Sequence, residues 1–182
     1  MMNSQNIKNV YVKLVCDAIN KVNKEYFNIK VAGAGSEKRR ERVFCYELYH
    51  CMRKLQEELQ EEYLTINGEI DKSGHLEIEG KYNPDFVIHR QGSMESNEVV
   101  VEVKCNFNKA GIKKDFRTIK KMMKCGKYKI GVFVLIGYDM NCFKEKIFSE
   151  INNGINRNNV YVFCKKNNDS PAEVVTLDEL NK

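Results

Sequence analysis

Seven consecutive residues, Ile130-Gly-Val-Phe-Val-Leu-Ile136, carry no polar side chain. A run this short reads as a strand. Alternate side chains of a strand face opposite ways, so both of its faces are apolar and both must be covered. The expected fold is therefore α/β (α+β), a mixed central sheet flanked by helices on both faces. A chain of 182 residues can bury such a core without disulfides or a structural metal. The seven cysteines are odd in number and contain no Cys-x-x-Cys pair, so they are expected as reduced core thiols. Neither an apolar run of membrane-spanning length nor a basic-then-apolar leader is present, so no membrane association is expected and the location is read as cytoplasmic.

Along the chain, Val10, Leu14, Ile19 and Val22 recur at helical spacing and predict a first helix over 5–26. The segment Val31-Ala-Gly-Ala-Gly35 then reads as a loop. No Gly-Lys-Ser/Thr follows it, so it is not a phosphate-binding loop of that type. Ser36 is the expected N-cap of a second helix reaching 62, with Phe44, Leu48, Cys51, Met52, Leu55 and Leu59 as its apolar stripe. Four short strands are predicted over 63–69, 75–79, 85–89 and 98–105, in antiparallel succession. A third helix over 108–125 places Ile112, Phe116, Ile119 and Met123 on one side, with Gly126 just past its end. After the apolar strand come a helix near 141–152, a strand over 160–164, a loop at 167–171 and a last short element. Residues 1–35 are taken as part of the same domain as 36–182.

The net charge of +5 is modest, but its distribution is uneven. Between Lys104 and Lys129 the third helix and its flanks carry Lys109, Lys113, Lys114, Arg117, Lys120, Lys121, Lys124 and Lys127 against the single acid Asp115. These cations form either a face that neutralises nucleic-acid phosphates or a solvated helix surface.

The residues that carry chemistry are Asp85, Glu102 and Lys104. Asp85 follows Pro84 and opens a predicted strand. On the next strand Glu102 and Lys104 share a face, while Val99, Val101, Val103 and Cys105 share the other. Charged groups in a valine-rich strand cost desolvation energy unless they pair or hold an ion. One reading is a structural Glu-Lys pair. In the other, Asp85 joins Glu102 to give two hard oxygen ligands suited to Mg2+ or Mn2+. The bound ion would activate water and stabilise charge on a phosphate, with Lys104 orienting or deprotonating that water. Desolvation and a neighbouring cation would lower the pKa of Lys104 and favour the base role, but charge stabilisation alone is equally compatible with the sequence.

Pro84-Asp85 followed by Glu102-Val103-Lys104 resembles the PD-(D/E)xK nuclease superfamily. Both halves of the motif fall on consecutive predicted strands, a basic helix follows, and the apolar strand comes next. The resemblance spans about 36–137. It implies a restriction-endonuclease-like αβββαβ core, divalent-metal phosphodiester hydrolysis, and metal ligation by Asp85, Glu102 and the main-chain carbonyl of Val103. Several families of that superfamily add a glutamate from the helix before the sheet. Glu47, at the border of the second helix's stripe, is the candidate here, against a plain solvated helix edge. Lys109, Lys113, Lys114, Arg117, Lys120 and Lys121 are the candidate nucleic-acid contacts.

His50, His75 and His89 lack metal-ligand spacing and are expected at the surface. The resulting expectation is a DNA endonuclease of restriction, repair or defence, with a homodimer or partner subunit supplying specificity. The alternatives are a catalytically inactive nuclease-like module that binds nucleic acid or protein, and an α/β scaffold with no nucleic-acid role.

Overall fold

The protein was analysed as a computed structural model that describes residues 7–33, 35–58, 64–70, 82–151 and 154–181. Helix α1 (Val10–Lys21) is started by Asn9, whose side-chain oxygen accepts from the N–H groups of Tyr11 at 3.0 Å and Val12 at 3.1 Å. The single helix expected over 5–26 is in fact broken. Val22 and Asn23 adopt extended ψ angles, and a one-turn helix α2 (Lys24–Phe27) restarts from Asn23.

Strands β1 (Ile29–Lys30) and β2 (Glu37–Lys38) form a small antiparallel hairpin. Gly33 and Gly35 between them both have positive φ, which the missing side chain allows without strain. Helix α3 (Glu41–Glu58) therefore starts four residues later than an N-cap at Ser36 would have placed it, because 37 and 38 are engaged in that hairpin. Residues 59–62, the expected end of this helix, lie outside the described residues.

Strands β3 (Thr65–Gly68), β4 (Phe86–His89), β5 (Asn97–Lys104), β6 (Ile130–Ile136), β7 (Val160–Lys165) and β8 (Glu173–Thr176) form one mixed six-stranded sheet in that order. The pairs β3–β4, β4–β5 and β7–β8 are antiparallel, as expected of the strands over 85–89 and 98–105. The strand expected over 75–79 lies outside the described residues. Helix α4 (Lys109–Lys124) connects β5 to β6 and helix α5 (Met140–Lys146) lies between β6 and β7, so both pairs run parallel. Asp139 caps α5 by accepting from the N–H of Cys142 at 2.9 Å, and a 3-10 turn (Phe148–Glu150) follows it in place of one longer helix.

The core lies on both faces of the sheet. On one, Val99, Val101, Val103, Val132 and Val134 pack with α1 and α3 residues such as Val15, Ile19, Leu48 and Met52. On the other, Val100, Phe133 and Leu135 pack with Ile112, Phe116, Ile119 and Met122 of α4 and Phe143 of α5. All seven residues of β6 are buried, as the uninterrupted apolar run requires. Met122 completes the stripe of α4, and Met123 is only partly buried.

All seven cysteines are free, five of them buried. His50 is exposed on α3, whereas His89, expected at the surface, is buried in β4 and lies 2.8 Å from the side-chain oxygen of Asn67. That partner is what makes its burial tolerable. His75 lies outside the described residues. Among the described residues no helix is long and apolar enough to cross a membrane.

Candidate functional site

Strand register brings the separated motif halves together. Phe86 pairs with Val101 in the antiparallel β4–β5 ladder, so Asp85, one residue earlier, falls opposite Glu102. Pro84 is buried and has no N–H to extend the ladder. Asp85 takes over with its side chain, accepting from the N–H of Val103 at 2.7 Å. The N–H and C=O of a strand residue point to the same edge, so the Val103 carbonyl faces the same opening, and Lys104 Nζ lies 3.4 Å from it.

As the alternation predicts, Glu102 and Lys104 lie on the face opposite Val99, Val101 and Val103. Glu102 is 5% exposed and faces Asp85 across the ladder, so two carboxyl groups share one site. Burial pushes the Asp85 carboxyl up to about 6 against the pull of the Val103 N–H and Lys104. Glu102 is held well above the usual carboxylate range, first by burial and then by the charges of Asp85 and Asp115.

Lys104 is gripped from both helical layers. Its Nζ lies 3.0 Å from Glu41 Oε1 in the first turn of α3 and 3.3 Å from Asp115 Oδ2 on α4. Glu41 Oε2 also accepts from the N–H of Cys105 at 3.3 Å, tying α3 to the end of β5. Burial works to lower the pKa of Lys104, but Asp115, Glu41 and Asp85 together outweigh it, and the ammonium is held above its ordinary range. This corrects the lowered value expected from desolvation: the sequence reading had not placed Glu41 and Asp115 against it. Asp115 is itself pushed up to about 6, chiefly by burial, with Lys104 pulling the other way.

Neither acid was singled out from the sequence. A signal for Asp115 was present, since it lies three residues after Ile112 and four before Ile119, inside the buried stripe rather than on the basic face. Glu41 offered one too, since it lies three residues before Phe44 and seven before Leu48, in line with the apolar stripe of its helix. Glu47, the expected helix acid, is six residues further on, so it projects in a different direction around the helix. Its Oε1 lies 3.9 Å from Cys51 Sγ, and it does not line the cleft.

The cleft has a volume of about 690 Å³, with Glu41, Asp85, Glu102, Lys104 and Asp115 inside it and Tyr82, Asn83, Lys114, Arg117 and Thr118 around them. No family model, curated protein or solved structure matches this chain. Four carboxyl groups share the cleft with Lys104, Lys114 and Arg117, and Lys104 is engaged by Glu41 and Asp115, so a proton or a cation would relieve the crowding of Asp85 and Glu102. Among the described residues no three His, Cys, Asp or Glu side chains close into a metal cage. Mg2+ does not require one, since it keeps several waters and binds through one or two carboxylates and substrate phosphate. Asp85 and Glu102 fit that requirement, with the Val103 carbonyl beside them.

The basic residues of α4 divide. Lys114 and Arg117 are exposed and line the cleft. Lys109 is 3.1 Å from Glu150, which also pairs with Lys113, so one carboxylate occupies two of the expected phosphate contacts. Lys120 lies along a second cavity, and half-buried Lys121 lines neither.

Proposed function

We propose that this chain is a divalent-metal-dependent nuclease of restriction-endonuclease-like build that hydrolyses phosphodiester bonds, with DNA as its expected substrate. The observation that carries the reading is the carboxyl pair Asp85–Glu102, set opposite one another by the β4–β5 register in an open cleft beside Lys104. The element order α3, β3, β4, β5, α4, β6 supports it, with the two halves of the motif at the end of one strand pair. Asp85, Glu102 and the Val103 carbonyl would hold Mg2+ or Mn2+. When bound, such an ion lowers the pKa of a water and takes up negative charge on a phosphate oxygen.

The chain's own groups do the rest. Val103 N–H holds Asp85 in position, and Glu41 and Asp115 hold Lys104 over the site. Those two ion pairs suit a charged Lys104 that donates to the attacking water or to a phosphoryl oxygen better than they suit a general base. Lys114 and Arg117 lie where they can meet flanking phosphates.

The test is cleavage of plasmid, single-stranded DNA and RNA by the purified protein with Mg2+ or Mn2+, against an EDTA control. Asp85→Asn and Lys104→Gln are each expected to lower the metal-dependent rate by about 10²-fold or more while remaining folded. The double ion pairing of Lys104 favours one second reading, an inactive module that binds nucleic acid. Nucleic-acid binding with no cleavage, and no calorimetric Mn2+ binding that Asp85→Asn abolishes, would establish that reading instead.

A further inference from the structure

A second cavity of about 430 Å³ lies on the other side of Arg117, which lines both it and the acidic cleft. Its floor is apolar, built from Ala110 and Phe116 of α4 with Ile151 and Ile155 from the segment after α5. Lys113, Arg117 and Lys120 stand around that floor, together with Glu150. An apolar floor inside a cationic rim suits a group that is flat and apolar on its faces and joined to phosphate at its edge. The volume lies within the range of small-ligand sites.

Resting on the nuclease reading, we infer that this groove receives one unpaired nucleobase of the substrate strand, next to the phosphate held in the cleft. Arg117 would bridge the two subsites by pairing with the intervening phosphate, and Lys120 would flank the backbone. A base in a duplex cannot enter such a groove without being flipped from its stack. The substrate class is therefore single-stranded or locally unpaired nucleic acid, and the protein discriminates against intact duplex.

The test is binding by the full chain in EDTA, so that it does not depend on cleavage. Fluorescence anisotropy compares a short single-stranded oligonucleotide with the duplex of the same sequence, and a fluorescent purine analogue placed in the single strand reports unstacking. Ala110 is exposed in the first turn of α4, so Ala110→Phe fills the groove without disturbing the core. Ile155→Glu is a second, electrostatic block.

The wild type is expected to prefer the single strand and to change the analogue's fluorescence. Ala110→Phe should lose about tenfold of single-strand affinity with duplex affinity unchanged, and Ile155→Glu, whose charge repels either form, should lose more on the single strand than on the duplex. Equal loss on both forms, no loss in Ala110→Phe, or no single-strand binding by the wild type would overturn the inference. The two readings fail separately. Unblocked single-strand binding with intact metal-dependent cleavage removes the groove alone, and groove-dependent binding without cleavage removes the nuclease alone.

Discussion

Two lysines end the strands on either side of β6, both parallel to it, and their surroundings give them opposite chemistry. Lys104 ends β5 between Glu41 and Asp115 and is held as an ammonium. Lys165 ends β7 and is 2% exposed, and it donates to the neutral acceptors Ser170 O at 2.7 Å and Asn20 Oδ1 at 3.4 Å. Burial lowers its pKa against the weaker pull of Asp169 and Cys16. Between that lowered value and the ordinary lysine value, the unfolded chain binds more protons than the folded one, so stability rises with pH across that window. Wild type should therefore gain stability relative to Lys165→Met as pH rises from about 7 to about 10, read as the difference in urea midpoints. A pH-independent difference would show that Lys165 does not titrate abnormally. Sequence reading could not separate these two lysines, since burial and partners are properties of the assembled ends of the strands.

At the scale of elements, the seat of α4 on β6 decides whether the site is complete, because α4 carries Asp115 to Lys104. That seat is close: a Cβ added at Gly131 would lie 2.4 Å from Ile119 Cγ2 and 3.1 Å from Met123 Sδ. Gly131→Ala should force the helix off the sheet, costing about 1–3 kcal/mol in chemical denaturation and lowering any metal-dependent cleavage through displaced Asp115. Wild-type stability in this variant would mean that the helix shifts freely. The glycine inside an otherwise apolar strand was visible in the sequence, but what approached it was not. The same applies to α3. Its apolar stripe was legible, yet its first turn was misplaced because a pairing from outside the helix, Lys30 with Glu37, claims the preceding residues.

For the whole molecule, the charge that matters is what remains after internal pairing. Glu150, from beyond β6, engages Lys109 and Lys113, while Lys114 and Arg117 stay on the cleft. If nucleic acid binds along α4, Arg117→Ala should weaken binding and reduce the slope of log affinity against log salt by about 1. Glu150→Gln should release its two lysines and steepen that slope, measured by anisotropy titrations over a range of salt. An unchanged slope in both variants would place the nucleic acid elsewhere or exclude it.

The sequence alone determined the parts that depend on local periodicity. The unbroken apolar run of β6 demanded cover on both faces, the alternation in β5 put Glu102 and Lys104 on one face, and the spacing in α4 separated apolar from basic. Tertiary structure decided what depends on residues distant along the chain. Antiparallel register set Asp85 against Glu102, the start of α3 chose Glu41, and the packing of α4 delivered Asp115. Periodicity records which side of an element is buried, whereas a site is made where the ends of several elements meet, and no single segment encodes that meeting.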